Sequence, residues 1–117
     1  MTPYKQGDVV LVPFPFTDLS AHKQRPAVVI SADWFNQSRA DCVLAAITSQ
    51  IPSALDRDQR LLSETDLQLA GLPKPSLVRL GKIVTIQQTL IHKRLGQLPP
   101  ATFTSILEGV REVLSGR

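Results

Sequence analysis

The stretch Gly7-Asp8-Val9-Val10-Leu11-Val12-Pro13-Phe14-Pro15-Phe16 opens on a turn former, runs through apolar residues rich in valine and stops at alternating prolines. So short a β-branched run, bounded by Gly and Pro, reads as a strand buried on both sides. After the polar, turn-forming segment Thr17 to Gln24, Arg25-Pro26 leads into a second apolar run, Ala27-Val28-Val29-Ile30. Two runs in this order predict a hairpin with a long loop, and loops held by strands commonly carry chemistry.

The pattern continues outward from this hairpin. Asp33 to Asp41 is polar around Trp34-Phe35 and reads as a turn or short helix, and Val43 to Ile47 is a third strand ending in Thr48-Ser49-Gln50. A loop from Ile51 to Gln59 precedes a weak strand at Arg60 to Leu62. Ser63 followed by Asp66 has the form of a helix N-cap, and Gly71 that of a C-terminal cap, enclosing a helix of about two turns. Leu77 to Ile86 is another strand, with Gly81 as a bulge or close-approach point, and Leu90 to Leu95 is expected to return beside it. After Pro99-Pro100, the spacing of Phe103, Ile106, Leu107, Val110, Val113 and Leu114 puts one apolar stripe on a C-terminal amphipathic helix that stops near Gly116. The class is therefore mainly β with α (α+β): a small curled β-barrel or half-barrel with helices attached, forming a single domain over residues 1–117.

Composition narrows the function. A chain of 117 residues with 43% hydrophobic content suits one core and excludes a disordered or fibrous protein. The first residues lack a basic segment followed by an apolar run, and the longest apolar stretches are too short to cross a bilayer, so a cytoplasmic protein with no membrane partner is expected. Cys42 is the lone cysteine, and with His22 and His92 dispersed it offers no metal-ligand spacing; neither a metal nor another cofactor is expected. Cys42 also precedes an apolar run, which suits a small core hydrophobe better than a catalytic thiol. The net charge is only +3, but no Asp or Glu occurs from Leu67 through Leu107, where Lys74, Arg79, Lys82, Lys93 and Arg94 fall. Such a stretch suits RNA phosphates or an acidic peptide; taken alone, a solvated basic face fits it equally well.

The segment Gly7 to Asp18, followed by Lys23-Gln24-Arg25-Pro26-Ala27-Val28-Val29-Ile30-Ser31, closely resembles the opening of MazF/PemK-like (Kid-like) toxins of type II toxin–antitoxin systems. Supporting matches are Ile47-Thr48-Ser49-Gln50, Ala70-Gly71-Leu72-Pro73-Lys74-Pro75-Ser76 before Val78-Arg79-Leu80, and Leu95-Gly96-Gln97-Leu98. Order and spacing agree along essentially the whole chain. The resemblance implies an SH3-like β-barrel with short appended helices, a homodimer, a cognate antitoxin, and an mRNA interferase. That activity is sequence-specific, metal-independent cleavage of single-stranded RNA, in which the RNA's own 2′-hydroxyl attacks phosphorus and leaves a 2′,3′-cyclic phosphate and a 5′-hydroxyl.

The resemblance makes Arg25 and Thr48 catalytic, and their chemistry agrees. A guanidinium is planar, permanently cationic and grips two phosphate oxygens at once, while the hydroxyls of Thr48 and the neighbouring Ser49 can donate to phosphate oxygens. His22 has the intrinsic pKa suited to proton transfer. Lys23, Arg79 and Lys82 are the expected RNA-phosphate ligands, and Phe16 an RNA-binding platform for base stacking. Phe14 and Trp34 offer the same surface, although core packing is expected to claim at least two of the three aromatics. One departure stands out: in parts of the family an acidic residue follows the Arg79 position by two, and here that place is Gly81, which leaves the general acid and base unassigned. Two alternatives follow. The same barrel occurs in toxins that bind and poison DNA gyrase without cutting RNA, a reading that Gly81 keeps open and that Arg25 and Thr48 oppose. An SH3-like adaptor for proline-rich peptides would need clustered aromatics, whereas this chain has one Trp and one Tyr.

Overall fold

The computed structural model of the chain describes residues 3–14 and 23–116. In chain order they form β1 (Asp8–Val12), β2 (Arg25–Val29), α1 (Asp33–Ser38), β3 (Asp41–Thr48), β4 (Gln59–Leu61), α2 (Glu64–Ala70), β5 (Leu77–Gln87), a single 3₁₀ turn (Gln88–Leu90), β6 (Lys93–Gln97) and α3 (Pro100–Ser115). The strands pair antiparallel in one six-stranded sheet of order β4-β5-β3-β2-β1-β6. Its outer strands are not paired with each other, so the architecture is an open, barrel-like α+β fold.

Continuous apolar runs, rather than alternating ones, explain why this sheet is buried on both faces. Val9, Val28 and Ala45 belong to one apolar cluster together with Leu80, Ile106 and Val110, so α3 covers that face. Their neighbours in sequence, Val10, Ala27, Val29, Leu44 and Ala46, belong to a second cluster on the opposite face with Phe14 and Ile91. Cys42 is packed in this second cluster, as a small hydrophobe would be.

Local signals place the helices. Ser63 Oγ accepts the Asp66 backbone N–H at 3.1 Å and the Asp66 carboxylate accepts the Ser63 N–H at 2.9 Å, a reciprocal box that starts α2. Thr102 Oγ1 donates to the same carboxylate at 2.6 Å, tying α2 to α3. Burial alone would raise the Asp66 carboxyl, but the Thr102 hydroxyl and the Ser63 N–H outweigh it and hold the group below its ordinary range. Gly71 ends α2 in the left-handed region at φ 72°. Gln88 is buried and fully used: Oε1 accepts the Tyr4 N–H, and Nε2 donates to the carbonyls of Asn36, Arg39 and Asp41.

One expectation is corrected and two are sharpened. The strand after β5 does not return beside it; β6 starts at Lys93 and pairs with β1, because the 3₁₀ turn redirects the chain and the His92 N–H bonds the Leu11 carbonyl at 2.8 Å. This covers the second edge of a strand whose residues are apolar on both faces. Gly81 does sit in a bulge but is no close-approach point, since a Cβ there would meet only the Val113 side chain at 3.9 Å. The close approach in a strand is at Gly96 of β6, where a Cβ would run into the carbonyl oxygen of Leu69 and the backbone of Ala70. The apolar stripe of α3 also outruns the core: Ile106 and Val110 are buried, while Val113 and Leu114 are 43% and 74% exposed. Among the described residues no helix is long and apolar enough to cross a membrane.

These contacts set a paired stability test. Gly96→Ala forces backbone apart between β6 and α2 and is expected to cost roughly 1–3 kcal/mol, as overpacking does. Gly81→Ala should stay within about 0.5 kcal/mol of the parent, as unstrained surface changes do. Urea midpoints measure both, and a Gly96→Ala protein as stable as Gly81→Ala would disprove the assignment of the close approach.

Candidate functional site

Arg25 is the first residue of β2 and pairs with Val12 of β1. Being followed by Pro26, its backbone is confined to extended conformations, which fixes where the side chain leaves the sheet. β2 also pairs with β3, Ala27 lying opposite Ala46, and the same register continued by two residues brings Arg25 across from Thr48. Thr48 closes β3, and its Oγ1 accepts the Gln50 N–H at 3.1 Å, so the turn Thr48-Ser49-Gln50 orients the hydroxyl and leaves its own proton for another acceptor.

β5 supplies the next pair of cations through an irregularity. Its ladder with β3 runs from Ile83 opposite Ala45 directly to Arg79 opposite Ala46, so Leu80, Gly81 and Lys82 have no partners on β3. In a regular strand residues three apart face opposite sides; the bulge re-aims them, and Arg79 and Lys82 line the same cleft. Lys74 reaches it from the loop after α2, where the buried Ser76 hydroxyl donates to the Lys74 carbonyl at 2.9 Å.

The cleft has a volume of about 510 Å³. Pro26, Ile47, Leu72 and Pro73 give it apolar walls, and Arg25, Lys74, Arg79 and Lys82 are its cations, with Thr48, Ser49, Gln50 and Ser76 as uncharged polar groups. No carboxylate is among these lining residues. Cations gathered against low-dielectric walls focus a positive field, which concentrates anions and above all polyanions.

Of the residues expected from sequence, Arg25, Thr48, Ser49, Arg79 and Lys82 thus come together. Lys23 is exposed and does not line the cleft. His22 and Phe16 lie outside the described residues. Phe14 is buried in the core, and Trp34 stands exposed on α1, edge-on to Phe35, away from the cleft lining. Lys74, which belongs to the basic, acid-free stretch, joins this lining as well; its position depends on the loop geometry that Ser76 holds. That stretch is also partly compensated from outside, since Arg94 Nε meets the buried Asp8 carboxylate at 2.9 Å. Among the described residues no three His, Cys, Asp or Glu side chains gather as a metal site.

With this geometry in place, comparison with known proteins decides the family. The sequence model of the PemK-like, MazF-like toxins of type II toxin–antitoxin systems matches residues 5–114. The chain belongs to this family. It is 36% identical over 93 residues to proteins named endoribonuclease MazF6 in Mycobacterium tuberculosis and endoribonuclease MazF2 in Mycobacterium bovis, with 79% of each chain covered. Its fold matches a mycobacterial endoribonuclease solved in complex with its cognate antitoxin, at a TM-score of 0.77 and 20% identity over 96% of this chain and 95% of that one. It also matches a MazE-MazF structure from Deinococcus radiodurans, at 0.75 and 15% identity over 98% of both chains.

In this MazF-like chain the one thiol is kept out of the chemistry. Burial, with the Asp41 carboxylate adding to it, pushes the Cys42 thiol up to about 11, so the nucleophilic thiolate is scarce at neutral pH. Iodoacetamide at pH 8 should therefore leave the native protein unlabelled and modify it only after denaturation, as intact mass would show. Rapid native labelling would contradict the placement of Cys42.

Proposed function

We propose that this chain is the toxin of a type II toxin–antitoxin pair and acts as an endoribonuclease on single-stranded RNA. The observation that carries the reading is the convergence of Arg25, Thr48, Ser49, Arg79 and Lys82, with Lys74, on one cleft, in a family whose named relatives are endoribonucleases. The gyrase-poison alternative draws no support from those relatives.

RNA brings its own nucleophile. The 2′-oxygen loses its proton and attacks the adjacent phosphorus, the bond to the 5′-oxygen breaks, and that oxygen takes up a proton, leaving a 2′,3′-cyclic phosphate and a 5′-hydroxyl. Negative charge grows on the non-bridging oxygens, where Arg25 and Arg79 stabilise it by charge-assisted, bidentate donation. Thr48 and Ser49 donate to the same phosphate and orient it toward in-line geometry, and Lys74 and Lys82 hold flanking phosphates. With Gly81 in place of a carboxylate, we assign proton transfer to His22, three residues ahead of Arg25. Nothing in this scheme requires a metal. The full reading includes a homodimer restrained by a cognate antitoxin, acting on mRNA in the cytoplasm.

Substitutions at two positions test it. In EDTA, Arg25→Lys retains the charge and loses the two-pronged grip, so cleavage should fall well below the parent while RNA binding changes less; Arg25→Ala should lose on the order of a hundred- to a thousand-fold in rate, as removal of an oxyanion-stabilising donor does. Product ends should stay cyclic phosphate and 5′-hydroxyl in whatever cleavage remains. A folded Arg25→Ala protein cutting at the parent rate would refute the assignment. Lys74→Ala should weaken single-stranded RNA binding evenly across sequences and lower the salt slope of log K by about 0.7, one phosphate contact. An unchanged slope in fluorescence anisotropy titrations would remove Lys74 from the interface.

A further inference from the structure

Beside the cationic cleft lies a second depression of about 410 Å³, and the two share Thr48, Gln50 and Arg79. The rest of its lining is Ile51, Pro52 and Gln59, so Arg79 at the shared border is its one cation among the described residues. A phosphate subsite gathers cations; a lining of amides and apolar surface suits a flat, neutral group with a polar edge. Gln59 on β4 lies directly across from Arg79 on β5. Its Oε1 accepts the Asp56 backbone N–H at 2.9 Å, which fixes the amide plane and leaves the two Nε2 protons as donors. Gln50 bonds Thr48 only through its backbone N–H, so its exposed side-chain amide keeps both a donor and an acceptor to offer.

We infer that this depression receives an unpaired nucleobase of the RNA next to the cleaved phosphate. Gln59 and Gln50 read the polar edge of the base and Ile51 and Pro52 pack on its face, which makes the two glutamines specificity-determining residues. The inference rests on the endoribonuclease reading and deepens it: Thr48 and Arg79, which border both hollows, hold the phosphate, and the amides of Gln59, across from Arg79 on β4, and of Gln50, just past the end of β3, discriminate the base attached to it. Glutamine suits this task because its paired donor and acceptor match complementary patterns on base edges, and a wrong base leaves them unpaired.

The test compares cleavage-site preferences of the full chain and its variants on a pool of single-stranded RNA randomised in sequence, by sequencing the new 5′-hydroxyl ends. Gln59→Glu keeps the oxygen that accepts the Asp56 N–H and replaces the Nε2 donors by an acceptor, so the loop contact persists while the base contact inverts. The expected result is a change on the order of tenfold in the preference among bases at one position flanking the cut, with preferences elsewhere kept. Gln50→Leu should flatten the preference at that position or its neighbour. If both variants fold and keep the parent preference at every position, lowering only the overall rate, Gln59 is a loop brace and the inference is overturned. Parent protein that leaves the whole pool intact would instead overturn the endoribonuclease reading, and this inference with it.

Discussion

Between Ala45 opposite Ile83 and Ala46 opposite Arg79, β5 carries Leu80, Gly81 and Lys82 without partners on β3. Side chains along a strand alternate with period two, so inserting an odd number of residues reverses which face the remainder of the strand presents. In an unbroken ladder Arg79 would fall opposite Ser49, beyond the end of β3; with the insertion it faces Ala46 and pairs with Gln59 on its other side. The insertion is anchored from beneath. Leu80 is buried, its N–H bonds the Asp58 carbonyl at 2.9 Å, and its side chain fills the space that a Cβ at Gly109 of α3 would occupy. One apolar residue seated against a helix glycine thus fixes the cations on either side of it.

That placement matters because the overall charge is too small to explain affinity for a polyanion. Several cations are answered locally: Arg94 by Asp8, Arg57 and Arg60 by Glu112. Arg25, Lys74, Arg79 and Lys82 share the cleft, and no carboxylate is among the described residues that line it. The burial of Ile47 and Leu72 in the walls holds the arrangement. A cleft lined in this way favours a polyanion over a neutral ligand.

The sequence disclosed most of the elements but not their neighbours. Val9 to Val12 and Ala27 to Ile30 announced strands buried on both faces, and Ser63, Asp66 and Gly71 marked both ends of α2, because these signals are local. The partner of β6 was misread because pairing depends on which edge needs covering, a property of the assembled sheet. Gly81 and Gly96 look alike as letters; only the approach of α2 to β6 separates them. At the site, the grouping of Arg25 with Thr48 followed from a resemblance, and the register of β2 on β3 supplies its physical cause. Lys74 and Gln59 gave no signal of their own, since a lysine between prolines and a glutamine before a short strand acquire meaning only from what the loop and the sheet bring beside them.

Stability and function meet at the end of α2. Gly71 takes the left-handed turn that lets the Leu72 N–H reach back to the Leu67 carbonyl at 2.9 Å, and a Cβ on Gly71 would strike the Leu95 carbonyl of β6. Gly96, two residues from the start of the stretch that follows β6, makes the reciprocal approach to Leu69 and Ala70. These paired glycines bring the helix end down onto the strand so that Leu72 is buried and Pro73-Lys74 emerges at the cleft, where Ser76 pins the Lys74 carbonyl. The position of Lys74 in the cleft is thus set by backbone packing on the far side of its own loop. Under the proposed function, a change at either glycine would alter RNA binding through the displacement of the Lys74 loop rather than through the loss of a contact of its own.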